Sequence, residues 1–261
     1  MALTNKTIAS TYGDILQVEN SGSGRTASGT VIKDGLGQST ALTLGQNKAQ
    51  VKPSSDSGDA FLVEASDGTN LLTVDTTNSA VKAGSTQSYV NTQVKEFGVF
   101  DMSPTAGHHY PMVSMNSLNS DTSGADFAAV SFGTGTDPAT TLTLSSAAEL
   151  VVPTYWYIPT AITIDEIRVI ASADGATTLN FHLFSYDMAT GTGSGAGDLS
   201  SGTLLAHNGS ALTAGDDRIT STTLTVDSAD VVADKVILAL VENIGGTDDV
   251  TAQLIVKYHY Q

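Results

Sequence analysis

The chain has no cysteine, a single tryptophan, few basic residues and no long apolar run. The absence of cysteine excludes disulfide bridges and thiolate zinc sites. Only 11 lysines and arginines stand against 27 acidic residues, and the resulting net charge of −16 disfavours binding to nucleic-acid phosphates. The longest apolar run, residues 236–241, is far shorter than the roughly 20 residues that cross a bilayer. We therefore expect neither a nucleic-acid partner nor insertion into a membrane.

The 261 residues are instead rich in glycine, threonine, serine and alanine. Hydrophobic residues make up 40% of the chain, which is enough for a packed core and excludes general disorder. Charged residues make up only 15%, so small and β-branched residues fill much of the remainder. This composition favours strands and turns over helices, and it predicts a mainly β protein.

The acidic charge lies almost entirely in the second part of the chain. Residues 1–95 contain seven bases and eight acids, whereas residues 96–261 contain four bases and nineteen acids. The apolar pattern changes at the same place, from short pulses between polar turns to longer alternating strands. We therefore expect a connector over residues 85–98, followed by an acidic domain over residues 99–261. The acidity either serves solubility or keeps neighbouring copies apart on a densely covered surface.

Residues 36–84 contain two stretches built on one pattern. Residues 40–52 and 71–82 each give a short strand with apolar residues two apart, a polar turn, and a second short strand ending in Val-Lys. Strands with so few apolar side chains do not close a core within one chain. We expect three copies to pool these stripes around a common axis; the alternative is a single small sandwich in which they form edge strands. The candidate trimer-interface residues, including those of the connector, are Leu42, Leu44, Val51, Phe61, Val63, Leu72, Val74, Val81, Tyr89, Val90, Val94 and Phe97.

Two segments within residues 1–95 resemble virion proteins of tailed bacteriophages. One is the spaced series Phe61-x-Val63, Asp67-Gly68-x-Asn70-Leu71-x-x-Val74-Asp75-x-x-Asn78-x-x-Val81, which is similar to shaft and collar segments of phage fibres. The other, residues 6–20, is similar to the N-terminus of fibre or head-decoration proteins of marine podovirus-like phages. The resemblance extends more loosely to residues 155–159 and 197–207. It implies a trimeric appendage with its N-terminus on the particle and its C-terminus outward, and it does not decide between head and tail.

Residues 1–35 fit a particle-docking segment, because they are polar, rich in glycine and serine, and too poor in apolar residues to fold alone. A frayed terminus is the alternative. The candidate docking residues are Tyr12, Ile15, Leu16 and Val18. In the connector, residues 85–98, apolar residues at spacings of three and four suit a short helix, and a strand fits almost as well.

Residues 99–261 show the pattern of strands separated by turns. Alternating or apolar segments lie at residues 141–144, 161–171, 177–186, 219–226, 235–242 and 250–258, and glycine, aspartate or proline bounds them. Six or more strands without a long helix predict an antiparallel β-sandwich of the jelly-roll type.

Aromatic residues give one candidate ligand site in this domain. Tyr155, Trp156 and Tyr157 lie between two predicted strands, where we expect them to pack as a core plug or a subunit contact. The alternative is an exposed ring that stacks on a sugar.

Residues with catalytic or metal-binding chemistry are few. The acid pairs at 165–166, 216–217 and 248–249 are adjacent in sequence, which does not suit two carboxylates that face each other across a sugar. The five histidines lack a zinc-binding spacing, and His108 and His109 are a metal site only if three copies bring them together. His182 and His259 are expected on the wetter faces of their strands. We expect no catalytic residue, no metal and no cofactor.

These observations, with the resemblance, predict a non-enzymatic virion structural protein, a trimeric head fibre or capsid-decoration protein. Its expected partners are further copies of itself and capsid or tail proteins. It would assemble in the host cytoplasm and be exposed on the particle surface. The alternative is a tail fibre whose sandwich recognises a host-surface glycan or protein, and a polysaccharide depolymerase is a minority alternative.

Overall fold

The computed structural model of the chain describes residues 17–18, 29–34, 36–114, 130–144, 151–215, 218–245 and 248–261. The chain divides into two compact units, Met1–Val90 and Asn91–Gln261. Within the described ranges the regular elements are antiparallel strands, apart from one 3-10 turn at Val152–Thr154. This confirms the predicted mainly β class. Across those ranges no helix has the length and apolar character that a membrane crossing needs.

The first unit contains two four-stranded sheets. The strands of one are β1 (Gln17–Val18), β2 (Thr30–Lys33), β3 (Ser39–Leu44) and β4 (Ala49–Val51), and those of the other are β5 (Phe61–Glu64), β6 (Asn70–Asp75), β7 (Ala80–Ala83) and β8 (Ser88–Tyr89). Each sheet is a meander in which successive strands pair. The two repeated sequence patterns form the hairpins β3–β4 and β6–β7. Gly68, in the turn between β5 and β6, has a φ of +84°, a conformation that favours glycine.

The second unit begins one residue before a long strand. Its strands are β9 (Thr92–Met102), β10 (His109–Pro111), β11 (Trp156–Ile158), β12 (Ile162–Ala173), β13 (Thr177–Met188), β14 (Leu199–His207), β15 (Leu212–Ala214), β16 (Thr220–Thr223), β17 (Thr225–Val226), β18 (Asp230–Val231), β19 (Lys235–Gly245) and β20 (Val250–Tyr260). Five of the six segments predicted from alternation are strands, namely β12, β13, β16 with β17, β19 and β20, whereas residues 141–144 contribute only an isolated bridge from Leu142 to Leu199. The strands β10, β11, β14, β15 and β18 were not predicted.

These strands form a jelly-roll sandwich. One sheet has the order β16-β12-β20-β9 and the other contains β10-β19-β13-β14. Counted along the chain, the first of these eight strands pairs with the eighth, the second with the seventh, the third with the sixth and the fourth with the fifth. This nested pairing is a long hairpin rolled into two sheets, which is the jelly-roll arrangement. The fold predicted for this domain is therefore confirmed.

The core of the sandwich lies between the two sheets. Phe97, Ile167 and Leu254 from one sheet pack against Phe181 and Val241 from the other, and all are buried. Because alternate side chains point to opposite faces, the periodic apolar residues of these strands fill this layer.

A second core covers the outer face of the sheet that contains β13 and β19. Phe184 and Leu238 project there and pack with Phe132 and Val130 of residues 130–144, which we call the cap. Both faces of this sheet are therefore buried. A continuous apolar run such as residues 236–241 is typical of a strand buried on both sides.

Three expectations need correction. The connector contains no helix among its described residues; it contributes β8 and the first part of β9. Phe97 is 1% exposed in the sandwich core, so it is not available to a trimer interface. His182 and His259 are buried rather than wet, because the cap covers the sheet face of the former and Asp165 pairs with the latter.

Candidate functional site

The sheet β5–β8 exposes an apolar surface on one side. Phe61, Val74 and Val81 are direct partners across three neighbouring strands, and Val63 and Leu72 form the next row. Directly paired residues share a face, so these five side chains form one continuous surface, which we call the apolar face. Phe61 keeps 43% and Val63 41% of the accessible surface. The apolar face is thus only partly covered by the chain that carries it.

Polar side chains predominate on the opposite side of this sheet, where Leu62 pairs with Thr73, and they are better covered. Thr73 and Asp75 are buried there. Thr73 Oγ1 donates to Gln87 Oε1 at 2.6 Å, and Asp75 accepts from the backbone and side-chain amides of Asn78 at 3.0 and 2.7 Å. The hydrogen bonds from Asn78, with Lys82 at 3.7 Å, hold the pKa of Asp75 below its usual value. This inverts the usual arrangement, in which the apolar side of a sheet is the covered one.

The sheet β1–β4 carries a smaller surface of the same kind. Leu42 and Val51 are direct partners across β3 and β4, and Leu44 lies on the same side. Leu42 and Val51 are exposed, and Leu44 is partly so. These three residues and the five of the apolar face account for eight of the twelve interface candidates.

The four remaining interface candidates lie elsewhere. Tyr89 pairs with Lys82, whose Nζ lies 5.3 Å from the centre of its ring, so it belongs to the polar side of the sheet β5–β8. Val90 is exposed at the end of the first unit, Val94 is exposed on β9, and Phe97 is in the sandwich core.

The docking candidates lie largely outside the described residues. Tyr12, Ile15 and Leu16 fall in the undescribed part, and of Val18 only the backbone is described, in β1 opposite Ile32 of β2.

Two of the three clustered aromatic residues have structural roles. The ring of Trp156 packs edge-on against Phe97 and Tyr258, with centroids 6.1 and 4.9 Å apart. Tyr155 donates its hydroxyl to the carbonyl of Gly197 at 3.1 Å, and burial raises the pKa of this phenol. Both residues lie against the sandwich, as expected of a core plug.

Tyr157 has a different environment. It is 48% exposed, and its hydroxyl donates to the carboxylate of Asp234. Asp234 has a φ of +66°, in the left-handed region that non-glycine residues rarely adopt. This pair places an exposed ring beside a carboxylate.

Three histidines from strands distant in sequence meet beneath the cap. His109 of β10 and His207 of β14 flank His182 of β13, with ring centroids 5.0 and 6.5 Å from it. His109 and His182 are buried, and their Nδ1 atoms have no hydrogen-bond partner among the described residues. Burial, with the two neighbouring imidazoles, lowers the pKa of His182 to about 3. We call these three residues the histidine cluster.

Sequence reasoning missed the histidine cluster. It considered His108 with His109, yet His108 contacts Ser131 through Nδ1 at 3.1 Å, while His109 faces the cluster. The apolar run 236–241 lies on β19, which pairs with β13, the strand of His182. Such a run is typical of a sheet that is buried on both faces. In the described part of the chain no three histidine, aspartate or glutamate side chains are placed to hold a metal ion.

The acid pairs are divided among separate contacts. Asp165 bonds His259 at 2.9 Å, Glu166 bonds Arg168 at 3.1 Å, Asp248 accepts from Thr177 at 3.2 Å, and Asp249 accepts from Ser103. The pair at 216–217 lies outside the described residues. Asp165, Asp248 and Asp249 thus connect neighbouring strands and loops, whereas Glu166 pairs within its own strand, β12.

Comparisons with known proteins add little to this geometry. No protein-family model and no curated protein matches the chain. A crystal structure of an aminopeptidase from the marine sediment archaeon Thaumarchaeota archaeon is similar over 73% of this chain and 40% of that one, with 10% identity and a TM-score of 0.30. The chain thus spans about two fifths of that protein. A likeness this slight supports no conclusion about fold or activity.

Proposed function

We propose that the chain is a non-enzymatic virion structural protein, a homotrimeric head fibre or capsid-decoration protein. Residues 1–35 dock on the particle, residues 36–84 associate with two further copies, and the jelly roll is displayed outward. The observation that carries the proposal is the inverted sheet β5–β8. Exposed contiguous apolar surface is typical of a protein–protein contact.

The size of the apolar face suits association between copies. It consists of two rows of side chains on three short strands, which is too narrow for a core of its own. Three copies around one axis bring three such faces together, and the eight exposed or partly exposed candidates of residues 36–84 then share one core. A closed symmetric assembly leaves none of these faces open to further addition.

The charge and fold of the second unit suit outward display. Residues 96–261 carry nineteen acids against four bases, so neighbouring copies on a particle repel one another. Jelly rolls occur in viral capsid and lectin domains. The shared architecture does not define a function, which depends on the residues at the surface. We do not propose a depolymerase, because the described acids of the pairs that suggested it are engaged in separate contacts.

The test is incorporation into particles. Antibodies raised against residues 91–261 should label purified virions at the head or tail when viewed by immunogold electron microscopy. A chain that lacks residues 1–35 should still form trimers and should be missing from the particles. Virions that contain no copy of the full chain would contradict the proposal.

Tyr157 supports a second candidate function, a tail fibre that binds a host-surface glycan. A half-exposed ring with a carboxylate beside it can stack on a sugar and accept hydrogen bonds from its hydroxyls. Glycan-array binding by the full chain should be lost in Tyr157→Ala and kept in Tyr260→Ala, where the replaced ring is 39% exposed. Equal binding by both variants would exclude this site.

A further inference from the structure

The first part of the cap is attached to the sheet largely through one residue. The N–H of Phe132 donates to the carbonyl of His109 at 2.8 Å, and the N–H of His109 donates to the carbonyl of Gly133 at 3.1 Å. His109 Nε2 also lies 2.9 Å from the carbonyl of Gly135. The later part of the cap is attached independently, since Leu142 exchanges two backbone hydrogen bonds of 2.9 Å with Leu199.

These contacts decide which nitrogen of His109 carries its proton. A carbonyl oxygen only accepts, so Nε2 must donate to Gly135 and Nδ1 is left with a lone pair. That lone pair is buried and has no partner among the described residues, and Nδ1 of His182 is likewise buried with no hydrogen-bond partner among them. A protonated His182 would carry an N–H group at Nδ1 with no acceptor among the described residues in a buried site, which is costly.

The charged groups around His182 do not offset that cost. Asp137 of the cap approaches Nε2 of His182 only to 3.7 Å, and its side chain is 60% exposed. From β14, His207 is itself bonded to Asp227 at 2.7 Å. Glu242 of β19, opposite His109, accepts from Asn180 at 2.9 Å. The closed cap therefore favours a neutral His182, whereas an open cap would let water solvate its charged form.

We propose that residues 130–137 form an acid-released latch, held closed while His182 of the histidine cluster is neutral and opened when His182 takes up a proton. Opening frees Phe132 from the second core and exposes the outer face of the sheet beside β10. The latch is local, because the attachment of Leu142 does not involve a histidine. It stands whether or not the chain is a virion protein.

The size of the effect follows from the two protonation equilibria of His182. Its pKa is about 3 when closed and near the ordinary value of 6.5 when water reaches it. Between pH 8 and pH 5 the ratio of open to closed latch should therefore rise about thirty-fold. Hydrogen exchange measured by mass spectrometry on the full chain, corrected for intrinsic rates, reports this ratio at the amide of Phe132. The amide of Leu142 is an internal control that should change by less than about three-fold.

Variants separate the latch from general acid unfolding. His182→Phe keeps a flat ring next to Phe184 and removes the titrating nitrogen, so the response at Phe132 should fall below about three-fold. His182→Gln serves the same purpose if the phenylalanine variant does not fold. His259→Gln, which changes a buried histidine that pairs with Asp165, should leave the response intact. The latch is refuted if the amides of Phe132 and Leu142 lose protection together in the unmodified chain. It is also refuted if every His182 variant that folds keeps the thirty-fold response.

Discussion

Replacing Phe61 by serine should weaken association between copies far more than it weakens the fold. Phe61 is 43% exposed in the single chain and lies on β5, in the row of the apolar face that it shares with Val74 and Val81. In a trimer built on this face, the exposed part of the ring becomes buried. Serine removes that apolar area and places a hydroxyl in its position.

The magnitude follows from the exposed fraction. A phenylalanine presents about 200 Å² of surface, so 43% corresponds to about 85 Å² that only a partner can cover. At about 25 cal/mol per Å² this is about 2 kcal/mol per copy and about 6 kcal/mol for three copies. Since 1.4 kcal/mol is a factor of ten, the trimer association constant should fall by about four orders of magnitude.

Leu62→Ser is the control variant. Leu62 is a partly buried neighbour of Phe61 on β5, and because it pairs with Thr73 it lies on the polar side of the same sheet. Its replacement removes contacts within the chain and leaves the apolar face unchanged, so the difference between the two variants isolates the partner's contribution. Sedimentation equilibrium over micromolar concentrations should show monomers for Phe61→Ser and trimers for Leu62→Ser. Equal association by the two variants would refute the assignment of the interface to the apolar face.

Three further outcomes are expected in the second unit. Below pH 6.5 His182 takes up a proton in the unfolded chain, whereas in the folded chain it stays neutral until about pH 3. The neutral His182 therefore contributes to the free energy of unfolding above pH 6.5, and that contribution falls by about 1.4 kcal/mol for each pH unit below 6.5. Urea unfolding should show a shallower acid slope for His182→Phe, and an unchanged slope would contradict the shift. Gly202→Ala should lower the free energy of unfolding by about 1–3 kcal/mol, because a Cβ there would lie 2.7 Å from the Cα of Thr140. Gly98→Ala is the control, since a Cβ there meets nothing nearer than 3.7 Å. Equal melting temperatures for the two variants would contradict the close packing of Gly202 against Thr140. Phe97→Ala should cost about 3–5 kcal/mol in thermal unfolding while the solution mass stays that of the parent, and a changed mass with unchanged stability would return Phe97 to the interface.

Strands such as β20 were predictable because their side chains alternate. Val250, Ala252, Leu254 and Val256 all point into the core between the sheets, as a period of two requires. The cap was not predictable, since its apolar residues are few and their contacts come from the sheet rather than from one another. The one sequence feature that indicated the cap was the unbroken apolar run at 236–241, which is typical of a strand covered on both faces.

The candidate sites were predictable to different degrees. The residues of the apolar face were identified individually from their spacing. That this face is the exposed side of the sheet was not predictable, because it depends on turn residues that cover Thr73 and Asp75 on the other side, and only the pairing of the strands places them there. In the connector, the spacing of Val94 and Phe97 suited a helix, while pairing with β20 makes the segment a strand. The histidine cluster joins three strands far apart in the chain, so no local pattern could announce it.

The most direct test of the central proposal is the mass of the purified full chain in solution, measured by light scattering. Association through the apolar face predicts three times the 26.8 kDa protomer, about 80 kDa, at micromolar concentration. A monomer of 26.8 kDa that unfolds cooperatively, with both units intact, would contradict it.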